Sequence, residues 1–113
     1  MSSYLPFQAN SGATAGKTAT LAATSTSVST TVSITAYSPS LRVAAQGPTG
    51  VIVFARMSSE SAPTATTADV PLACGTVVVL ANPVSLGTLG VAVICSLTTT
   101  PVNVYFTPGQ GGG

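Results

Sequence analysis

Leu41-Arg42-Val43-Ala44-Ala45-Gln46-Gly47-Pro48-Thr49-Gly50-Val51-Ile52-Val53-Phe54-Ala55-Arg56 is the stretch whose reading decides the fold. Two runs rich in strand formers, residues 41–45 and 51–56, flank Gln46-Gly47-Pro48-Thr49-Gly50, whose glycines and proline suit a tight reversal and stop any helix. The stretch reads as a β-hairpin. Side chains alternate across a strand, so in the second arm Val51, Val53 and Ala55 face one way and Ile52, Phe54 and Arg56 the other. Both faces are largely apolar. An antiparallel strand with one wet face alternates apolar with polar, so this arm calls for protein cover on its second side as well.

Working outward, the same grammar recurs. Residues 17–23 form a first weak strand. In residues 27–37, Val28, Thr30, Val32, Ile34 and Ala36 alternate with Ser29, Thr31, Ser33, Thr35 and Tyr37, giving one dry and one wet face. Ser38-Pro39-Ser40 turns the chain into the central stretch. Residues 57–71 are rich in Ser, Ala, Thr and Pro, hold both acidic residues, and read as a long loop with one short pairing near 67–70. Residues 76–81 are a near-continuous apolar run. Residues 89–96 are apolar on both faces, and 102–107 close the set with Val102, Val104 and Phe106 on one side. No segment shows a helical period, and long straight-chain helix formers are scarce. Seven or so strands separated by turn signals predict an all-β fold, an antiparallel two-sheet β-sandwich or jelly roll. The expected organisation is an extended N-terminal arm over 1–16, a β-sandwich domain over 17–107 and a flexible glycine-rich tail over 108–113. The arm carries an isolated apolar group, Tyr4, Leu5 and Phe7; a frayed terminus and an arm that orders on a neighbour are both open readings.

Composition narrows the function. The 113 residues suit one domain with one core. Lys17, Arg42, Arg56, Glu60 and Asp69 are the only charged residues, 4% of the chain, and none lies between 70 and 113. Ordinary soluble domains carry about 25%. With a net charge of +1 the chain has little to resist association, so a homo-oligomer is expected, a dimer in preference to a trimer, or a subunit of something larger. Scattered cations exclude a phosphate-binding surface and hence nucleic acid. Fourteen valines and 45% hydrophobic residues exclude disorder. The first ten residues lack a basic region and an apolar run, so no secretory signal is read and the product is expected to stay in the cytosol that makes it. Residues 76–97 are long enough and uncharged enough to be tested as a membrane span, but Asn82-Pro83, two glycines and β-branched content favour two strands and a loop. No membrane partner is expected.

Chemistry is thinly provided. Ser11-Gly12-Ala13-Thr14-Ala15-Gly16-Lys17-Thr18 resembles a phosphate-binding loop, but Ser11 stands where the first glycine is required, and no strand precedes it nor helix follows. There is no histidine to serve as a base, and Glu60 and Asp69 share one loop without distinct environments. Cys74 and Cys95 lack a third ligand or metal-site spacing and read as two small buried hydrophobes, although a pairing between them is not excluded by sequence. The chain is therefore not expected to be an enzyme, and no catalytic, cofactor or metal residue is assigned. Arg42 and Arg56, at opposite ends of the hairpin arms, would lie near each other and bond Asp69, Glu60 or a partner's carboxylates.

Leu41-Arg42-Val43, Val51-Ile52-Val53-Phe54-Ala55-Arg56, the loop Ala68-Asp69-Val70-Pro71-Leu72-Ala73-Cys74-Gly75 and the ending Val104-Tyr105-Phe106-Thr107-Pro108-Gly109-Gln110-Gly111-Gly112 together resemble the small decoration, or cement, proteins of short-tailed bacteriophage heads. The resemblance covers roughly residues 41–113; the N-terminal third matches in composition alone. It implies a β-sandwich or jelly-roll virion subunit on the outside of an assembled capsid, made in the host cytoplasm, that clamps neighbouring major capsid proteins, and it carries no catalytic residues. Beside it, the partner-contact residues expected are Tyr4, Leu5, Phe7, Ile52, Phe54 and Ile94, with one apolar face against a sister subunit and rim loops and arm on the shell. The rival expectation is a receptor-binding or adhesin-like β module of a phage fibre or tail.

Overall fold

The computed structural model describes residues 8–9, 18–34, 39–84, 87–95 and 102–110. Among them are nine strands: β1 (Gln8–Ala9), β2 (Ala19–Ala23), β3 (Val28–Ile34), β4 (Ser40–Gln46), β5 (Ile52–Ser58), β6 (Val70–Ala73), β7 (Val77–Ala81), β8 (Gly87–Cys95) and β9 (Val102–Gln110). They form two antiparallel sheets. The first runs β2-β9-β4-β7, with β1 lying against the far end of β9 through Gln8–Gln110 and Ala9–Gly109; the second runs β3-β8-β5-β6.

The ladders nest: β5 with β6, β4 with β7, β3 with β8, β2 with β9. The chain is thus one long hairpin, with its tip between β5 and β6. It is rolled until β9 meets β4 in one sheet and β8 meets β5 in the other. The expected all-β sandwich of two antiparallel sheets is present, and of the two architectures left open by the sequence the connectivity is that of a jelly roll.

The hairpin expected at residues 41–56 does not form. β4 pairs with β7 and β9, whereas β5 pairs with β6 and β8 in the opposite sheet. Both edges of each strand are satisfied by partners distant in sequence, and residues 47–50 turn a corner between sheets instead of reversing within one. The amide of Val51 donates to the Pro48 carbonyl at 3.4 Å. The companion arm turns beside it: Cys74 N–H donates to Val51 O at 3.0 Å and Gly75 N–H to Ala45 O at 2.8 Å. Gly50 and Gly75, one on each arm of this corner, both have φ of +91°, a conformation that costs a side-chain-bearing residue dearly. The Gly-Pro-Thr-Gly signal was a true turn signal, and it cannot by itself say whether the chain returns alongside or crosses over.

Between the sheets lies one core. Leu41, Val43, Val53, Val91, Val104 and Phe106 are fully buried in it, and the Cys95 thiol donates to Ala23 O at 3.5 Å. Other boundaries shift modestly. β6 begins at Val70, later than the pairing expected near 67–70, and its Pro71 is accommodated because β6 is an edge strand. β9 continues past Thr107 to Gln110, with Pro108 buried opposite Leu41, so residues 108–110, expected in the tail, belong to the first sheet. The uncharged window 76–97 contains β7 and β8, and no helix among the described residues is long and apolar enough to cross a membrane.

Candidate interaction face

The outer face of the second sheet gathers the apolar side chains that point away from the core. Ladder register places Phe54 directly between Ile94 of β8 and Pro71 of β6, and sets Ile52 beside Ala73 one row away. Ile52, Phe54 and Ile94 are half-buried, Pro71 and Ala73 exposed. Three of the six expected contact residues, Ile52, Phe54 and Ile94, therefore share one surface although they are far apart in sequence. Tyr4, Leu5 and Phe7 lie outside the described residues.

The next row is closed by the protein itself. The 59–69 segment at the tip of the long hairpin folds back over β8. A Cβ on Gly90 would fall on the Glu60 carbonyl oxygen and within 2.8 Å of the Pro63 ring. Further along, Ala65 N–H donates to Ser27 Oγ at 2.9 Å, tying the segment to the β3 side of the sheet. Pro63 and Ala65 are buried, and Ala92, which lies outward between these fixings, is wholly inaccessible. The second apolar side of β8 is thus covered largely by the chain's own loop. The protein cover expected on the second side of a doubly apolar strand is here supplied within the chain. The signal was present in the sequence, because a glycine inside an apolar strand marks close approach of another backbone.

The loop is anchored at its base. Arg56 Nε donates to Asp69 Oδ1 at 2.9 Å, and the Thr66 amide donates to Oδ2 at 2.7 Å. Burial pushes the Asp69 carboxyl up, but the Thr66 amide and the Arg56 guanidinium outweigh it and hold the group below its ordinary value. Of the partners the sequence allowed for Arg56, the structure selects Asp69. Arg42 is not its neighbour, contrary to expectation, because β4 and β5 lie in different sheets.

Arg42 instead borders a shallow depression of about 330 Å³ on the outer face of the first sheet, lined also by Thr18, Ala44, Gln46, Tyr105 and Thr107. Thr18 and Thr107 share a hydroxyl–hydroxyl hydrogen bond of 2.8 Å there. The lining offers donors and one aromatic face. Cys74 and Cys95 are not joined in a disulfide, and the first is half-buried and the second buried. Burial, and secondarily the neighbouring Cys95, pushes the Cys74 thiol up, which disfavours the thiolate. Among the described residues no group of three His, Cys, Asp or Glu side chains is placed to hold a metal ion.

No family model, curated protein or solved structure matches the chain.

Proposed function

We propose that this chain is a virion structural subunit, a decoration or cement protein that binds the outside of an assembled phage head and stabilises contacts between major capsid proteins. The reading rests on the resemblance drawn from residues 41–113 and on one structural observation: the row Ile94-Phe54-Pro71, with Ile52 and Ala73 beside it, on an outer sheet face. The pair Arg56–Asp69 borders that row with its two charges bonded to each other. A clamp needs contact area in place of reactive groups. Because it binds the assembled lattice and not its separated subunits, it stabilises the lattice by mass action. In this reading the 52/54/94 face, and not only the rim loops, lies on the shell.

Heads stripped of this chain and mixed with purified variants test the reading. Phe54→Ser, alone and with Ile94→Ser, is expected to weaken binding about tenfold per side chain, as loss of one well-buried apolar contact does. Binding by the unaltered chain should survive about 1 M salt, where charges are screened within about 3 Å. Release at moderate salt, or full binding by the double variant, would remove the 52/54/94 face from the account.

The depression edged by Arg42, Gln46 and Tyr105 supports the second reading, a receptor-binding module at a fibre or tail, since one aromatic face with polar donors suits a polar ligand such as a glycan.

A further inference from the structure

The strand β7, Val77-Val78-Val79-Leu80-Ala81, closes the first sheet, and among the described residues nothing pairs on its far side. Sheet edges in natural proteins are blunted by lysine, proline, bulges or covering loops. This one has neither lysine nor proline, its ladder to β4 runs without interruption from Val77 to Ala81, and Val77 is 52% exposed. We propose that β7 pairs antiparallel with β7 of a second copy about a two-fold axis at Val79, making one continuous sheet across a homodimer. The proposal rests on the homo-oligomer expected from the composition and not on the shell reading.

The backbone phase supports it. Asn82 N–H donates to Pro39 O at 2.9 Å and Ala45 N–H to Thr76 O at 3.3 Å, so residues 76, 78, 80 and 82 are those that bond toward β4. Bonding direction alternates along an antiparallel strand, so the N–H and C=O groups of Val77, Val79 and Ala81 point away from β4. About a two-fold axis at Val79, Val79 meets its own copy and Val77 meets Ala81. Each facing pair can exchange both backbone hydrogen bonds, and the register is complementary to itself.

Charge and packing favour a second copy as the occupant. A two-fold contact sets like against like, which charged strands cannot tolerate, but residues 70–113 carry no charge at all. The nearest charged side chain on this sheet is Arg42, opposite Val79 on β4. The two Arg42 residues of a dimer would stand three strand spacings apart, about 14 Å, beyond the screening length of about 8 Å. On the inward side Val78 and Leu80 are half-buried against the margin of the core, and the partner's Leu80 and Val78 would complete their cover.

Sedimentation velocity on the full chain at about 100 μM tests the proposal, that concentration being well above a micromolar dissociation constant. The unaltered protein should sediment as twice 11.0 kDa. Val79→Pro removes only an outward N–H, the placement a proline tolerates in an edge strand, and Val79→Lys sets two ammonium groups against each other. Both variants should sediment as monomers. Hydrogen exchange on the unaltered protein supplies a readout that does not depend on a variant folding: the Val77, Val79 and Ala81 amides should be protected at high concentration and lose that protection on dilution. A monomer at high concentration, a dimer that persists in both variants, or fast exchange of these three amides beside protected Val78 and Leu80 overturns the proposal. None of these measurements involves heads, so failure here leaves the shell-binding test standing, and the converse holds.

Discussion

Gly90 shows how much one position carries. It has no side chain because the 59–69 segment passes directly over it, and a methyl group would have to displace the Glu60 backbone or the Pro63 ring. Gly90→Ala is therefore expected to destabilise the fold by about 1–3 kcal/mol, the usual cost of forcing extra volume into a packed site. Thermal or denaturant unfolding reads this, and a change within about 0.5 kcal/mol would mean that the segment is not seated on β8. Asp69 anchors the same segment through polar bonds. Since its folded pKa lies below the unfolded one, its contribution is complete at neutral pH. That contribution drains away as pH falls from about 4 through the lower folded value. Asp69→Asn keeps an acceptor for the Thr66 amide and loses the charge facing Arg56. Because the Arg56 side chain is 42% exposed, the loss at neutral pH should be modest, about 0.5–1 kcal/mol, with a shallower acid limb in a pH series of unfolding midpoints. An unchanged acid limb would count against the anchor.

At the level of elements, strand identity was legible in the sequence and strand partnership was not. Alternation in residues 28–34 reported one wet and one buried face, and β3 has that pattern, with Ser29, Thr31 and Ser33 exposed and Val32 and Ile34 buried. Doubly apolar runs proved ambiguous, because three different environments produce them. In β8 the second side lies under the chain's own loop. In β5 it contributes Ile52 and Phe54 to an outer apolar face. In β7 the run lies along a sheet edge, mostly half-exposed. Periodicity records that a side chain prefers protein to water, and it is silent on which protein. The candidate face was half legible for the same reason: Ile52, Phe54 and Ile94 were identifiable as outward and apolar, whereas their adjacency, and the addition of Pro71 and Ala73, required the register of β6, β5 and β8.

For the whole molecule the decisive fact is the roll. Local turn chemistry at residues 47–50 fits a hairpin and a corner equally well. The choice between them is made by ladders such as Ala23–Val102 and Val43–Phe106, which no local window contains. Rolling one long hairpin into two sheets puts the central strands in the middle, brings the tip loop onto β8, and leaves two surfaces of different kinds. One is an apolar patch on the outer face of the second sheet, and the other the edge of the first sheet at β7, where no further strand pairs among the described residues. A subunit that pairs through its edge and lies on a lattice through its face uses both. The count of this chain per purified head, by quantitative gel densitometry with electron microscopy of the same particles, tests that account most directly: near-stoichiometric copies spread over the shell are predicted, and a few copies confined to one vertex or to the tail would contradict it.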